Sequence, residues 1–289
     1  MTPTPAPGTV DVRPNPAAVR MNAGERRATT SLAAIYGLRL LGMFVILPVF
    51  ALYAETLDGG ASHTLIGIAL GAYGLTQAIL QIPFGWASDR WGRKPVIYGG
   101  LAIFAVGSFV AAAAHTIEWV IIGRCLQGAG AISAAVISLT ADLTRDSVRT
   151  RAMAIIGITI AATFAVSLVA GPILKAAIGV PGIFALTGLL AVGAIIVVRV
   201  AVPDPGPVVV ASESTRKQLL RVLVDPHLLR LNYGTFALHA VLMALFTQLP
   251  FAMVDLGLVG DRHWVVYLPV LLLSVVLMLP FLRQVDRVG

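Results

Sequence analysis

Within the long apolar stretches of this sequence, only a few ionisable side chains could do chemistry. Arg39 and Arg124 each stand well inside such a stretch, and His239 stands in a later one. A charged group inside a membrane span costs about 2.5–3.5 kcal/mol on insertion scales, so it normally faces a cavity or a partner. All 14 Asp and Glu lie outside the middles of these stretches. We expect His239 to couple function to protons and Arg124 to face a cavity or a partner, with hydrogen-bonded helix packing as the alternative for each.

A second group of polar residues predicts a cavity for a small molecule. Tyr73, Gln77 and Gln81 recur every four residues and therefore share one face of a helix. The candidate substrate cavity comprises Arg39, Tyr73, Gln77, Gln81 and Gln127. Beside this stripe, Gly67, Gly71 and Gly74 predict a face on which a neighbouring helix packs closely.

The composition indicates an integral membrane protein. Hydrophobic residues make up 57% of the chain, charged residues 12%, and the mean hydropathy is +0.87. Average soluble domains carry about 25% charged residues. The net charge of +7 does not indicate nucleic acid, because the basic residues lie between apolar runs. The one cysteine, Cys125, excludes an intrachain disulfide, and no spacing predicts a metal site or another cofactor.

Eight apolar stretches approach the roughly 20 residues that a helix needs to cross a bilayer. They cover residues 31–54, 64–87, 94–114, 118–141, 152–174, 183–202, 231–256 and 264–282. We therefore predict an all-α membrane protein in four parts. Residues 1–30 form a disordered tail, 31–202 a six-helix bundle, 203–230 a linker with a short surface helix at 214–224, and 231–289 two helices of a second bundle.

The distribution of basic residues predicts the orientation in the membrane. Seventeen of the 21 Lys and Arg fall in the N-terminal tail, in alternate loops or in the C-terminal tail. The intervening loops hold only Lys175 and Arg262. By the positive-inside rule, both termini lie in the cytoplasm.

The short turn between the second and third spans carries the most specific motif. It consists of Gly85, Asp89, Arg90, Gly92, Arg93 and Lys94. The glycines are expected to permit a tight reversal, and Asp89 to cap a helix N-terminus. The basic pair is expected to meet the acids Asp142 and Asp146 of a neighbouring loop, and the candidate motif partners are Asp142 and Arg145. A merely basic turn is the alternative, although the positive-inside rule requires neither glycine nor aspartate.

Part of this turn motif recurs near the end of the chain. Pro83-Phe84 and Asp89-Arg90 recur as Pro280-Phe281 and Asp286-Arg287, 197 residues later. A repeat at this spacing is typical of transporters built from two similar halves. On this pattern the sequence stops inside the second copy, and we expect four further helices to be missing. Such a chain would insert into the membrane without transporting.

Three motifs resemble those of the major facilitator superfamily. They are the turn motif, the fourth-span pattern Arg124-x2-Gln127-Gly128-x-Gly130, and Gly171-Pro172 at the end of the fifth span. The last resembles the end of the superfamily's antiporter motif, although Ser167 stands where that motif has a glycine. Longer segments from residue 24 onward, such as Leu38-Arg39-Leu40-Leu41-Gly42-Met43-Phe44, are similar to the bacterial YajR-like transporters.

The resemblance implies a fold of two six-helix bundles with alternating access between them. It also implies that the aspartate at position 89 contacts an eleventh helix, and that the fourth-span arginine takes part in proton coupling. The expected function is secondary, proton-coupled efflux of small amphiphilic or cationic compounds from a bacterial cell. The expected partners are the inner-membrane lipid, the substrate and protons, with a monomeric chain and no enzyme activity. An uptake permease and a non-transporting remnant are the alternatives.

Overall fold

A computed structural model describes residues 20–59, 62–204, 224–258 and 262–288, the side chains of 275 and 278–288 excepted. In those ranges the chain forms nine helices. They are α1 (Ala23–Phe44), α2 (Leu47–Ala54), α3 (His63–Trp91), α4 (Arg93–Ala112), α5 (Ile117–Ala129), α6 (Ser133–Asp142), α7 (Asp146–Ala201), α8 (Pro226–Asp255) and α9 (Trp264–Val288).

Within the described ranges, six helical segments are long and apolar enough to cross a membrane, counting α1 with α2 and α5 with α6 as one segment each. Helix α7 has 56 residues, which at 1.5 Å per residue is far longer than a bilayer core of about 30 Å. It bends at Gly179, whose φ of 69° is left-handed and therefore suits glycine. This bend divides α7 between the two spans predicted for it, and the 25-residue α9 covers the predicted eighth.

Two expectations need correction at the level of single helices. The first helix begins at Ala23 rather than after residue 30, because Asn22 and Glu25 form a capping box at its start. The first and fourth spans are each broken, at residues 45–46 and 130–132. The predicted surface helix at 214–224 lies almost wholly outside the described residues, as do the tail up to residue 19 and the side chains of the Asp286-Arg287 repeat.

Apolar side chains form two layers with polar groups between them. One cluster joins the early turns of α1 and α4 to α6 and the last turns of α7, around Leu32, Ile97 and Val198. The other joins α2, the first turns of α3 and the middle of α7, around Phe50, Ile66 and Phe184. Arg39, Tyr73 and Arg124 lie between these layers along their helices, and all three are buried. The packing therefore encloses a polar centre at mid-membrane depth.

Loop contacts sort the described connections onto two faces. The amide of Asp58 donates to the carbonyl of His115, and that of Ile117 donates back to Asp58, so these two loops meet. On the opposite face, Arg93 pairs with Asp142 and Lys94 with Asp204. These contacts divide the loops in the same way as the count of basic residues.

We predict that reporter fusions will follow this division. Fusions at Asp58 and Gly179 should give a periplasmic signal, and fusions at Asp146 and Ser212 a cytoplasmic one. The measurement is the ratio of alkaline phosphatase to green fluorescent protein activity at each site. A cytoplasmic signal at Gly179 would contradict the division of α7 into two spans.

Candidate functional site

The turn between α3 and α4 is held by a guanidinium between two carboxylates. Arg93 donates from Nη1 to Asp89 and to the Ser88 hydroxyl at 2.9 Å, and from Nε to Asp142 at 3.0 Å. The Arg93 side chain is only 14% exposed, whereas both carboxylates are partly exposed. Gly92, with φ of 97°, makes the reversal. The turn therefore ties α3 and α4 to the end of α6.

The roles within this motif differ in part from those that the sequence predicts. Asp89 lies in the last turn of α3 and pairs with Arg93, and α4 has no side-chain cap. Gly85 lies inside α3, where its hydrogen faces Ala134. Arg90 lies over the Trp86 ring at 5.4 Å. The reversal thus depends on Gly92 alone, and Asp89 acts by ion pairing rather than by capping.

Two further ion pairs lie on the same face. Lys94 donates to Asp204 at 2.6 Å and to the carbonyl of Val202 at 2.7 Å. Arg145 pairs with Glu25 rather than with the turn, at 2.7 Å from Nε and 3.0 Å from Nη2. Glu25 is 5% exposed and also belongs to the capping box, so this pair fixes the start of α1 against the loop before α7.

The ionisation of these pairs is stable near neutral pH. The hydrogen bond from Lys94 lowers the pKa of Asp204, and the hydrogen bonds to Glu25 raise the pKa of Arg145. A lowered carboxyl pKa gives stability above the unfolded value of about 3.9, which is lost as pH falls through the folded value. A raised arginine pKa gives stability that is lost only at strongly alkaline pH. Any pH dependence of function near neutrality must therefore arise elsewhere.

We predict that Arg145→Ala destabilises the protein while Arg149→Ala does not. Losing Arg145 leaves the buried Glu25 carboxylate without its main partner, at a cost of about 1–3 kcal/mol. Arg149 pairs with Asp146, which is 87% exposed, and such surface pairs contribute about 0–1 kcal/mol. The measurement is the thermal unfolding midpoint of the purified protein in detergent. Equal midpoints for the two variants would contradict the structural role of the Glu25 pair.

A buried polar cluster brings together four of the five predicted cavity residues. Arg39, which is 1% exposed, donates from Nη2 to Gln77 at 3.1 Å. Its guanidinium carbon lies 5.8 Å from the ring centres of Tyr73 and Phe104. The guanidinium carbon of Arg124, which is also 1% exposed, lies 4.8 Å from the centre of the same Tyr73 ring. Tyr73 and Gln77 of the stripe on α3 thus form one site with the two arginines.

Gln127 completes the cluster from α5. Arg124 donates from Nη1 to the side-chain oxygen of Gln127 at 3.0 Å. The side-chain amide of Gln127 donates to the Ser108 hydroxyl at 2.8 Å. Ser108 in turn donates to the carbonyl of Phe104. Sequence reasoning missed Ser108 and Phe104, for which the one signal was a lone serine in an apolar stretch. Gln81 does not belong to this series of hydrogen bonds, because its side-chain oxygen is buried with no partner among the described residues.

The cluster carries two positive charges and neutral partners. Within the described residues, neither Arg39 nor Arg124 forms an ion pair. Their distances to Tyr73 place the two guanidinium carbons no more than about 11 Å apart. At an effective dielectric constant of about 20, like charges at that separation or closer repel by at least about 1.5 kcal/mol. Cation–π contacts of up to about 2 kcal/mol each oppose this repulsion.

The remaining predicted residues lie away from the cluster. His239 is exposed on α8, and its Nδ1 lies 2.8 Å from the carbonyl of Thr235 in its own helix. A proton-coupling role for His239 stays a prediction. Gly171 lies against the break between α1 and α2, where a Cβ would stand 2.7 Å from the carbonyl of Val45. Gly171-Pro172 therefore lets α7 approach that break.

Between α7 and the α8–α9 pair lies an apolar cavity of about 250 Å³. Its lining includes Phe164 and Leu168 of α7, Phe246 of α8 and Tyr267 of α9. Phe164 packs edge-on against Phe44 at 5.1 Å and against Phe246 at 6.3 Å. Aromatic contacts thus run from the six-helix part of the chain to the last two helices.

Comparison with known proteins places these features in a family. A model described as Major Facilitator Superfamily matches residues 32–289. Inner membrane transport protein YajR of Escherichia coli (strain K12) is 47% identical over 91% of this chain. Tetracycline resistance protein, class G, of Vibrio anguillarum is 32% identical over 50% of the chain.

The coverage of these relatives is partial. The chain spans 58% of the length of YajR and 36% of that of the tetracycline protein. Among solved structures, a bacterial homologue of the human lysosomal transporter Spinster, in an inward-facing and occupied conformation, superposes with a TM-score of 0.69. That match has 16% identity and covers 85% of this chain and 57% of the homologue. The helices, the turn motif and these matches agree, and the chain belongs to the major facilitator superfamily.

Proposed function

We propose, in place of the non-transporting chain expected from the repeat, that this chain serves as a secondary transporter of the bacterial inner membrane that exports small amphiphilic compounds in exchange for protons. The observation that carries the proposal is the one-ended contact between the six-helix part and α8. Helix α8 is buried only at Phe246, Pro250 and Met253, toward its predicted periplasmic end. Its residues from Leu228 to Leu238 are largely exposed in the structure. Contact confined to one end leaves α8 able to move relative to the six-helix part, as alternating access requires.

The apolar cavity supports an amphiphilic substrate. It lies beside the contact between the two parts, where a molecule would be enclosed when they close over it. Ligand sites are usually concave and mostly apolar, with a few polar groups that fix orientation. In this proposal such groups come from the polar cluster around Tyr73, which lies on the six-helix side outside the cavity lining.

The name of one relative, and not the geometry of this structure, favours export over uptake. The tetracycline resistance protein is a resistance factor by name, and resistance by a membrane transporter means removal of the drug. Since a fold does not fix the direction of transport, an uptake permease is the second candidate. The Gly171-Pro172 pair supports exchange with protons only weakly, because Ser167 replaces a glycine of the antiporter motif.

Everted membrane vesicles test the direction and the coupling together. Cells that express the chain and matched empty-vector cells would supply vesicles, energised with lactate. The panel comprises ethidium, 2-naphthoate and 2-naphthamide, each followed by its fluorescence. Export predicts accumulation of at least one compound, and its collapse when an uncoupler is added. Energy-dependent loss from preloaded vesicles would instead indicate uptake, and no difference from the empty vector would contradict transport.

We predict that Asp89→Asn slows transport and leaves substrate affinity nearly unchanged. The substitution removes one of the two charges that hold Arg93, far from the polar cluster and the cavity. The conformational cycle should slow by about tenfold, since a charge-assisted hydrogen bond contributes about 1.5–3 kcal/mol. Initial rates over a range of substrate concentrations separate the maximal rate from KM. A large rise in KM at a normal maximal rate would contradict this role for Asp89.

A further inference from the structure

The polar cluster holds donors that nothing in the described structure occupies. Nε and Nη1 of Arg39 and Nε of Arg124 are buried and have no hydrogen-bond partner among the described residues. The hydroxyl of Tyr73, whose ring both arginines contact, is also buried without a partner among the described residues. Buried polar groups in proteins are almost always hydrogen-bonded, so a group of four unsatisfied atoms in one place calls for a ligand.

We infer that Arg39 and Arg124 bind the anionic head group of the substrate, a carboxylate or a chemically similar oxyanion. The inference rests on the proposed function and specifies the substrate class of that site. A guanidinium presents its N–H groups in a planar fork that matches the two oxygens of a carboxylate. Here two such groups face one tyrosine ring, with unused N–H groups on both.

The neutral partners hold the arginines without neutralising them. Gln77 and Gln127 each accept one hydrogen bond from an arginine, and Ser108 fixes the amide of Gln127. These contacts orient the guanidinium groups while the two positive charges remain uncompensated. A site arranged in this way is preorganised for an anion, because the ligand pays little for ordering its partners.

The same charges disfavour a cationic substrate. A protonated amine at this position would meet two like charges, and no carboxylate of a described residue pairs with either arginine. The expectation that cations are exported is therefore the less favoured part of the sequence-based prediction. Repulsion of the wrong charge is itself a source of specificity.

The surroundings of the cluster account for an apolar body attached to the head group. Met43 packs against the group of Tyr73 and Phe104, and its neighbour Phe44 packs against Phe164. Phe164 borders the apolar cavity. Two successive residues of α1 thus lie between the arginines and the cavity, so an amphiphilic anion would contact both once these two side chains move aside.

Three compounds with one apolar body and different head groups test the inference. They are 2-naphthoate, 2-naphthamide and 2-naphthylmethylammonium, titrated at pH 7.5 into the purified chain in a neutral detergent, with calorimetry giving Kd. We expect the anion to bind at least about tenfold more tightly than the amide, as for a charge-assisted bidentate pair. The cation should bind more weakly than the amide. Equal Kd values for the three would overturn the inference.

Variants assign the preference to the arginines. Arg39→Gln and Arg124→Gln should each reduce the preference for the anion to about threefold or less. Arg149→Gln is the matched control, because Arg149 pairs with the exposed Asp146 outside the cluster and its loss should leave all Kd values unchanged. Arg39→Lys and Arg124→Lys keep the charge and should retain part of the preference, which keeps the test decisive if a glutamine variant fails to fold. An unchanged preference in all four cluster variants would overturn the inference.

Two further experiments distinguish a soluble anion from a lipid head group, and the anion site from the proposed transport. Repeating the titration in nanodiscs of neutral lipid and in nanodiscs with phosphatidylglycerol tests a lipid head group. Loss of naphthoate binding only with phosphatidylglycerol would mean that the site takes lipid, which overturns a soluble substrate. Binding of naphthoate without flux in vesicles would contradict the proposed transport but not the anion site. Flux of ethidium without a preference for the anion would support transport and contradict the anion site.

Discussion

Replacing Gly128 by alanine is expected to remove most of the folded protein. A Cβ at this position would overlap the carbonyl oxygen of Tyr73 and the hydroxyl of Thr76, and it would lie 3.0 Å from the carbonyl carbon of Tyr73. Because the nearest atoms include backbone, the clash is relieved only when α3 and α5 move apart. That movement would also separate Arg124 from Tyr73, so we expect a loss of about 3 kcal/mol or more.

The matched control is Gly99→Ala, in the middle of α4. A Cβ at Gly99 meets nothing within 4 Å in the described structure. Alanine in a helix interior is more stable than glycine by about 0.5–1 kcal/mol, so this variant should be unchanged or slightly more stable. Size-exclusion chromatography after a temperature ramp gives the folded fraction of each variant. A Gly128→Ala protein as stable as Gly99→Ala would contradict the close packing of α3 on α5.

The spans were predictable because composition over about 20 residues determines whether a helix crosses a bilayer. It was also predictable that the cavity stripe would contact other polar groups. Glutamines spaced by four residues had to share one face, and Gln77 does contact Arg39. The break at residues 45–46 has a signal in Pro48, which lacks the N–H that would bond to the carbonyl four residues earlier. The break at residues 130–132 was not predictable from hydropathy averaged over a span.

Contacts between remote loops were beyond the sequence patterns. Arg145 was expected near the turn motif, but its partner is Glu25, 120 residues away. The Asn22 to Glu25 capping box was readable from its spacing, but it lay in a stretch interpreted as a disordered tail. Conversely, the predicted packing face at Gly67, Gly71 and Gly74 has no neighbour within 4 Å in the described structure. Small residues permit close packing without requiring it.

Alternating access makes a second prediction with a large effect, at the contact between α3 and α8. The ring of His63 stacks on that of Phe251 at 5.0 Å, at the end of the molecule predicted to face the periplasm. If the two parts must separate here to release substrate, a covalent link across this contact should stop transport completely. The background for the experiment is Cys125→Ser, since Cys125 is the native cysteine of the chain.

The decisive measurement is the initial transport rate of a His63→Cys/Phe251→Cys variant before oxidation, after oxidation and after reduction. The compound followed is the member of the vesicle panel that accumulates, and each single-cysteine variant serves as a control for the oxidant. Alternating access predicts near-zero transport in the cross-linked protein, full recovery with a reductant, and no effect on the single variants. Transport that continues at a normal rate while the cross-link is complete would contradict the account.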